Sequence, residues 1–185
     1  MKPNDKSKII YGHDTIEFVT VAVEYCAFLE KSEGRSRDDF YDTVLKLLPL
    51  LYVKAQLLPS VESEGDFLPQ AKVTEDDYNW IRRIVYDIVT DEDQYLDISY
   101  ENAMETDETQ WKSLSEHLAD IYQPLRNFLA VYQDGTEDCM FDALWAVKDS
   151  FELYWGLALV DAMKRLHYTK YSRSDSQPFD AEYDD

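Results

Sequence analysis

Cysteine is nearly missing from this chain: two in 185 residues, Cys26 and Cys139, stand far apart. A small secreted domain held by disulfides carries more of them in a shorter sequence, so that framework is excluded. There is no Cys-x-x-Cys, and His13, His117 and His167 form no closely spaced pair, so no zinc or other metal site is expected. Glycine is scarce, with five residues, and no Gly-rich phosphate loop, Gly-x-Ser-x-Gly elbow or His-Glu-x-x-His motif occurs. Cofactors are therefore not expected. Basic residues are few as well: 18 against 38 acids, a formal charge of −20. Sequence-independent binding to nucleic acid or to anionic lipid needs clustered Lys and Arg, and the densest group here is the pair Arg82-Arg83. The longest apolar run, Leu47 to Val53, has seven residues, far below the ~18 of a membrane span. Met1 to Lys8 is polar and lacks the apolar core of a signal peptide. A reduced, cytoplasmic chain is the expectation.

What is present is apolar bulk. Hydrophobic residues make up 45% and aromatics 14%, ample for the core of one domain and incompatible with disorder throughout. Their period is close to 3.6 and strand alternation is scarce, which predicts an all-α, antiparallel up-and-down bundle of about five helices. The first helix, from His13 or Asp14 to Lys31, is apolar nearly all round and is expected at the centre. A second opens at the cap Ser36, meets Pro49 and ends near Leu58, before a loop over 60–72. Thr74 caps a third, whose stripe is Tyr78, Ile81, Val85 and Ile88. A fourth runs from Glu108 to Gln133 with Trp111, Leu114, Leu118, Ile121 and Leu125 on one face, ending at Asp134-Gly135. The fifth spans Glu137 to His167, with Gly156 expected to let another helix approach. Residues 1–168 form the bundle, and 169–185 an acidic, frayed tail. Between the third and fourth helices, Asp91 to Glu108 holds eight acids and no Lys or Arg, and reads as a solvated connection with one docked turn around Tyr95 to Ile98.

Acid pairs three apart occur about as often as the composition scatters them, and none is the Glu-x-x-His pair of di-iron bundles. On the fifth helix, Lys148 and Glu152 fall within the apolar stripe. The plain reading is a snorkelling lysine in a salt bridge at a bundle seam. The functional reading is a pocket where Glu24, Lys148 and Glu152 converge, with burial tuning their acidity. Lys54 likewise sits in an apolar arc and is expected to snorkel, and His117 with Asp120, one turn apart, reads as a structural or incidental pair.

Three stretches are familiar together: Leu51-Tyr52-Val53-Lys54-Ala55-Gln56-Leu57-Leu58-Pro59, Ser115-Glu116-His117-Leu118-Ala119-Asp120-Ile121-Tyr122, and Phe151-Glu152-Leu153-Tyr154-Trp155-Gly156 running on to Leu166-His167. With Tyr95-Leu96-Asp97 between them, the chain resembles an uncharacterised bacterial family of acidic helical proteins, the domain of unknown function numbered 5063. The resemblance implies a small helical domain and brings no activity or site residues. The expectation is therefore a protein-interaction module without catalysis, meeting a basic protein partner through acids such as Asp91, Glu92, Asp93 and Asp97. The alternative is a small-ligand or metal-binding enzyme using the Glu24, Lys148, Glu152 pocket.

Overall fold

A computed structural model describes residues 3–62, 71–98 and 109–172. In chain order the elements are α1 (Pro3–Ile10), α2 (His13–Glu30), α3 (Arg37–Leu57), α4 (Glu75–Val89), strands β1 (Gln94–Ile98) and β2 (Thr109–Ser113), α5 (Leu114–Asp134), α6 (Glu137–Ser150) and α7 (Gly156–Ser172). A π-helical turn, Phe151–Trp155, joins α6 to α7 in one continuous rod. The fold is all-α in class, a bundle of five long rods with a short first helix and a two-stranded ribbon attached.

Local chemistry sets where the rods begin. The Ser36 hydroxyl accepts the Asp39 backbone N–H at 3.3 Å at the start of α3. Thr74 and Asp77 form a complete capping box on α4: the Asp77 N–H donates to the Thr74 hydroxyl at 3.1 Å, and the Thr74 N–H to the Asp77 carboxylate at 2.9 Å. Those bonds from Thr74 hold the Asp77 carboxyl below its ordinary range. Ser113 caps α5 and Thr136 caps α6 in the same manner.

The centre is α5, not the first long helix. It packs against α2, α4, α6 and α7, and Leu118, Ile121 and Leu125 on it are fully buried. The α2 helix borders α3 on one flank and α5 on the other, which leaves Ile16 and Val23 about half exposed. Apolar character all round did not require enclosure all round. The fourth rod also starts later than expected. Trp111 belongs to β2 and is 69% exposed, because the chain before Leu114 is extended. At its other end, Gly135 has a φ of −84° and is not left-handed. Glycine is needed there because a Cβ would stand 2.5 Å from the Val131 carbonyl oxygen.

The acidic connection differs most from expectation. Instead of a solvated link with a docked turn, β1 pairs antiparallel with β2, with Leu96 opposite Trp111 and Tyr95 opposite Lys112. Residues 99–108 lie outside the described residues. Three of the four acids expected to form an interaction strip are structural. Asp93 is 2% exposed, accepting the Ser115 N–H at 2.7 Å and the Ser113 hydroxyl at 2.9 Å. Glu92 takes Arg37 at 3.2 Å and the Tyr41 hydroxyl at 2.6 Å. Asp97 takes Lys164 at 2.7 Å and Lys112 at 3.7 Å. Only Asp91 is largely exposed, and it too lies 3.2 Å from Arg37.

The expected boundary at 168 also moves. Thr169 is buried, Lys170 is ion-paired with Asp42 of α3, and α7 continues to Ser172. The expected acidic tail beyond it lies outside the described residues. Gly156 is required within its own rod. The π turn brings the Phe151 carbonyl oxygen within 2.4 Å, and the Phe151 ring within 3.0 Å, of where a Cβ on residue 156 would sit. Gly156→Ala should therefore destabilise the protein by ~1–3 kcal/mol through overpacking. Urea unfolding measures this, and an unchanged midpoint would mean the turn is not formed as described.

Candidate functional site

A groove of about 700 Å³ lies between α5 and the α6–α7 rod. Its floor is apolar, with Pro124 from α5 and Trp155 and Ala158 from the rod. Its rim carries Leu153, Tyr154 and Leu157, which are 61%, 72% and 57% exposed. Phe151 and Trp155, four apart, both face the core, and Leu153 and Tyr154 between them face outward. The two core rings pack with centroids 4.6 Å apart, and the Trp155 indole N–H donates to the Val147 carbonyl at 3.1 Å.

One end of the groove is polar, formed by Lys112, His117, Asp120 and Asp161. The Lys112 ammonium donates to the well-buried Asp161 at 2.6 Å and lies 3.7 Å from Asp97. Asp120 is exposed and accepts the Tyr78 hydroxyl at 2.7 Å; among the described residues no cation lies within ion-pair distance of it. His117 does not share a hydrogen bond with Asp120. Among the described residues its buried Nε2 has no partner, and its ring packs 6.2 Å from that of Tyr95, whose buried hydroxyl likewise has none among them.

Burial holds the His117 pKa below its ordinary 6.5, against the opposing pull of Asp161 and Asp120. The imidazole is therefore neutral at pH 7. With the folded-state value below the unfolded one, the unfolded chain takes up the proton first as pH falls. The stability this group contributes is complete above about pH 6.5 and declines as pH drops towards the folded value. Carboxylates such as Glu17, Asp42 and Asp77, whose pKa values are lowered, titrate further down the scale. His117→Gln should flatten the dependence of unfolding free energy on pH between 7.5 and 5.5 (~1 unit either side of the free imidazole value). Equal slopes for the variant and the parent would contradict the burial.

The structure does not bring Glu24, Lys148 and Glu152 together. Lys148 lies against the end of α3, donating to the Ala55 carbonyl at 3.0 Å, where the helix dipole favours a cation. Glu152 is 3.7 Å from it and mostly exposed. Glu24 is exposed on α2 and bonds to neither, so the pair is a salt bridge at a seam. Lys54 is half-buried and reaches Glu17 at 2.7 Å. His13, Asp14 and Glu17 bring their ligand atoms within 4.8 Å of one another. Lys54 already occupies Glu17, and the other two are open to solvent.

The groove was missed from sequence because a helical wheel reports which face of one rod is buried and not how two rods meet. One signal was available. Phe151-Glu152-Leu153-Tyr154-Trp155 holds four large apolar residues in five, more than one face of a helix can bury.

The family model for "Domain of unknown function (DUF5063)" matches residues 9–172. The chain belongs to this family. All groove residues of this DUF5063 domain fall within the matched stretch. Among solved structures, it is similar to the crystal structure of protein BF1032 from Bacteroides fragilis. The two are 43% identical with a TM-score of 0.79, over 89% of this chain and 96% of that one. No curated protein matches the chain. Among the described residues of the DUF5063 domain, no helix is long and apolar enough to cross a membrane.

Proposed function

We propose that this DUF5063 domain is a cytoplasmic, non-catalytic protein-interaction module, and that the groove between α5 and the α6–α7 rod is where it meets its partner. The observation that carries the reading is the clustering of exposed Leu153, Tyr154 and Leu157 over an apolar floor, in a chain of net charge −20. Single exposed apolar residues are ordinary, but a contiguous patch with an aromatic at its rim is where binding energy concentrates. The acidic exterior would steer a basic protein inward, an attraction that weakens with salt. Both cysteines are free, in keeping with a reducing compartment. Catalysis is less well supported, because Lys112 is held by carboxylates and the Nε2 of His117 is buried beside the hairpin rather than poised at a nucleophile.

The test is photo-crosslinking in cells that make the protein, from a reactive residue at Leu157 and, as a control, at Val53 of α3, which is also about half exposed. The reading expects a protein adduct from position 157 alone, diminished by Tyr154→Ala. The same adducts from both positions, or none from either, would overturn it.

A further inference from the structure

Resting on that reading, we infer that the groove takes a single amphipathic helix of the partner, with its apolar face on Leu153, Tyr154 and Leu157 and a Lys or Arg directed at Asp120. Three observations converge. The first is shape. The groove is the seam between two rods, and an unfilled seam in a bundle has the ridges and spacing to receive a third helix. From Ser150 to Asp161 it extends along eleven residues of rod, about 16 Å at 1.5 Å per residue, which matches about three helical turns.

The second is the spacing of the contacts. Leu153 and Leu157 lie four apart on the rod, and Asp120 and Pro124 four apart on α5. A helix lying between them would place side chains at i, i+4 and i+7 against alternate walls.

The third is charge. Inside the groove the Lys112 ammonium is already held by Asp161, whereas the exposed Asp120 carboxylate has only the Tyr78 hydroxyl. A cation on the incoming helix completes Asp120, and a carboxylate there finds no free counter-charge in the groove. A second copy of this chain fits poorly, since two bodies of −20 repel before contact.

The experiment is an amide-resonance titration of the full chain with three synthetic peptides of about four turns: an amphipathic Leu/Lys helix, its Leu/Glu counterpart, and the Leu/Lys sequence interrupted by proline. The Leu/Lys helix should shift the amides of Gln123, Tyr154 and Leu157 saturably. Asp120→Asn should weaken it about two- to five-fold, and Leu157→Lys about tenfold or more. Position 157 is exposed, so that variant should melt with the parent. Four outcomes would overturn the inference: shifts spread over the whole acidic surface, equal binding of the Leu/Glu peptide, equal binding of the proline-interrupted peptide, or the same amides moving with the chain's own concentration. If Leu157 crosslinks a partner while the Leu/Lys helix fails to bind, the interaction reading stands and the helical, basic occupant falls. If both fail, both readings fall.

Discussion

Trp155→Ala should destabilise the protein by about 3–5 kcal/mol, the range for removing a buried tryptophan. The side chain is 1% exposed, packs on the Phe151 ring and donates its indole N–H to the Val147 carbonyl. Its removal would open a void where the π turn meets α5, and the rigid rods on either side can close on it only in part. A loss of that size is a large fraction of the 5–15 kcal/mol that typically holds a domain together. Urea unfolding followed by far-ultraviolet circular dichroism is the appropriate measurement, since it does not rely on the indole removed. Trp155→Phe should fall well short of the alanine loss, because the aromatic packing survives and only the hydrogen bond goes. If both variants lose less than about 1 kcal/mol, the indole is not in the core.

Asp93→Ala should cost about 2–4 kcal/mol, beyond the usual loss at a cap. The Asp93 carboxylate accepts from the Ser115 N–H and the Ser113 hydroxyl, all of them buried, and its own carbonyl accepts the Leu114 N–H at 2.9 Å. It thus closes the first turn of the central helix and welds β1 to β2 at the same point. A negative charge there also favours the positive end of the α5 dipole. In the alanine variant, Ser115 would keep a buried N–H with no acceptor. Asp93→Asn, which preserves the shape and one acceptor oxygen, should recover part of the loss. Thermal unfolding of the three proteins side by side checks the ranking. An alanine variant as stable as the parent would show that Asp93 is not the clasp.

The rods were largely legible in the sequence, because a period near 3.6 in Leu, Ile, Val and aromatic residues reports a buried face directly. The caps at Ser36 and Thr74 were legible for the same local reason: a short hydroxyl side chain facing orphan N–H groups. The ribbon was not. In β1 and β2 the alternation runs opposite to expectation, with Leu96 and Trp111 turned to solvent and Asp97 and Lys112 turned towards α7. The inward pair is stabilised by ions, Asp97 with Lys164 and Lys112 with Asp161. A search for strands by inward apolar residues passes over such a segment. Helix α1 was hidden in a polar start, since Lys6 is buried against Phe141 and bonded to Asp138 of α6 at 2.7 Å. The excess of acid in the connection signalled partners, and for the described acids they are internal: Arg37 pairs with Asp91 and Glu92, Lys112 and Lys164 with Asp97, and the start of α5 uses Asp93.

The groove follows from features that composition cannot express. Leu153, Tyr154 and Leu157 lie outside the buried face of their own rod, and the seam with α5 sets them beside an apolar floor. The acidity of the chain and this apolar seam then act at different ranges, one on approach and the other on contact.

Cross-saturation of the complex formed with the protein captured at position 157 tests this division of labour most directly. Irradiating the partner's protons should quench the amides of Gln123, Tyr154 and Leu157 and spare those of Leu50 and Val53 on α3. Quenching centred on α3, with the α5 seam untouched, would contradict the account.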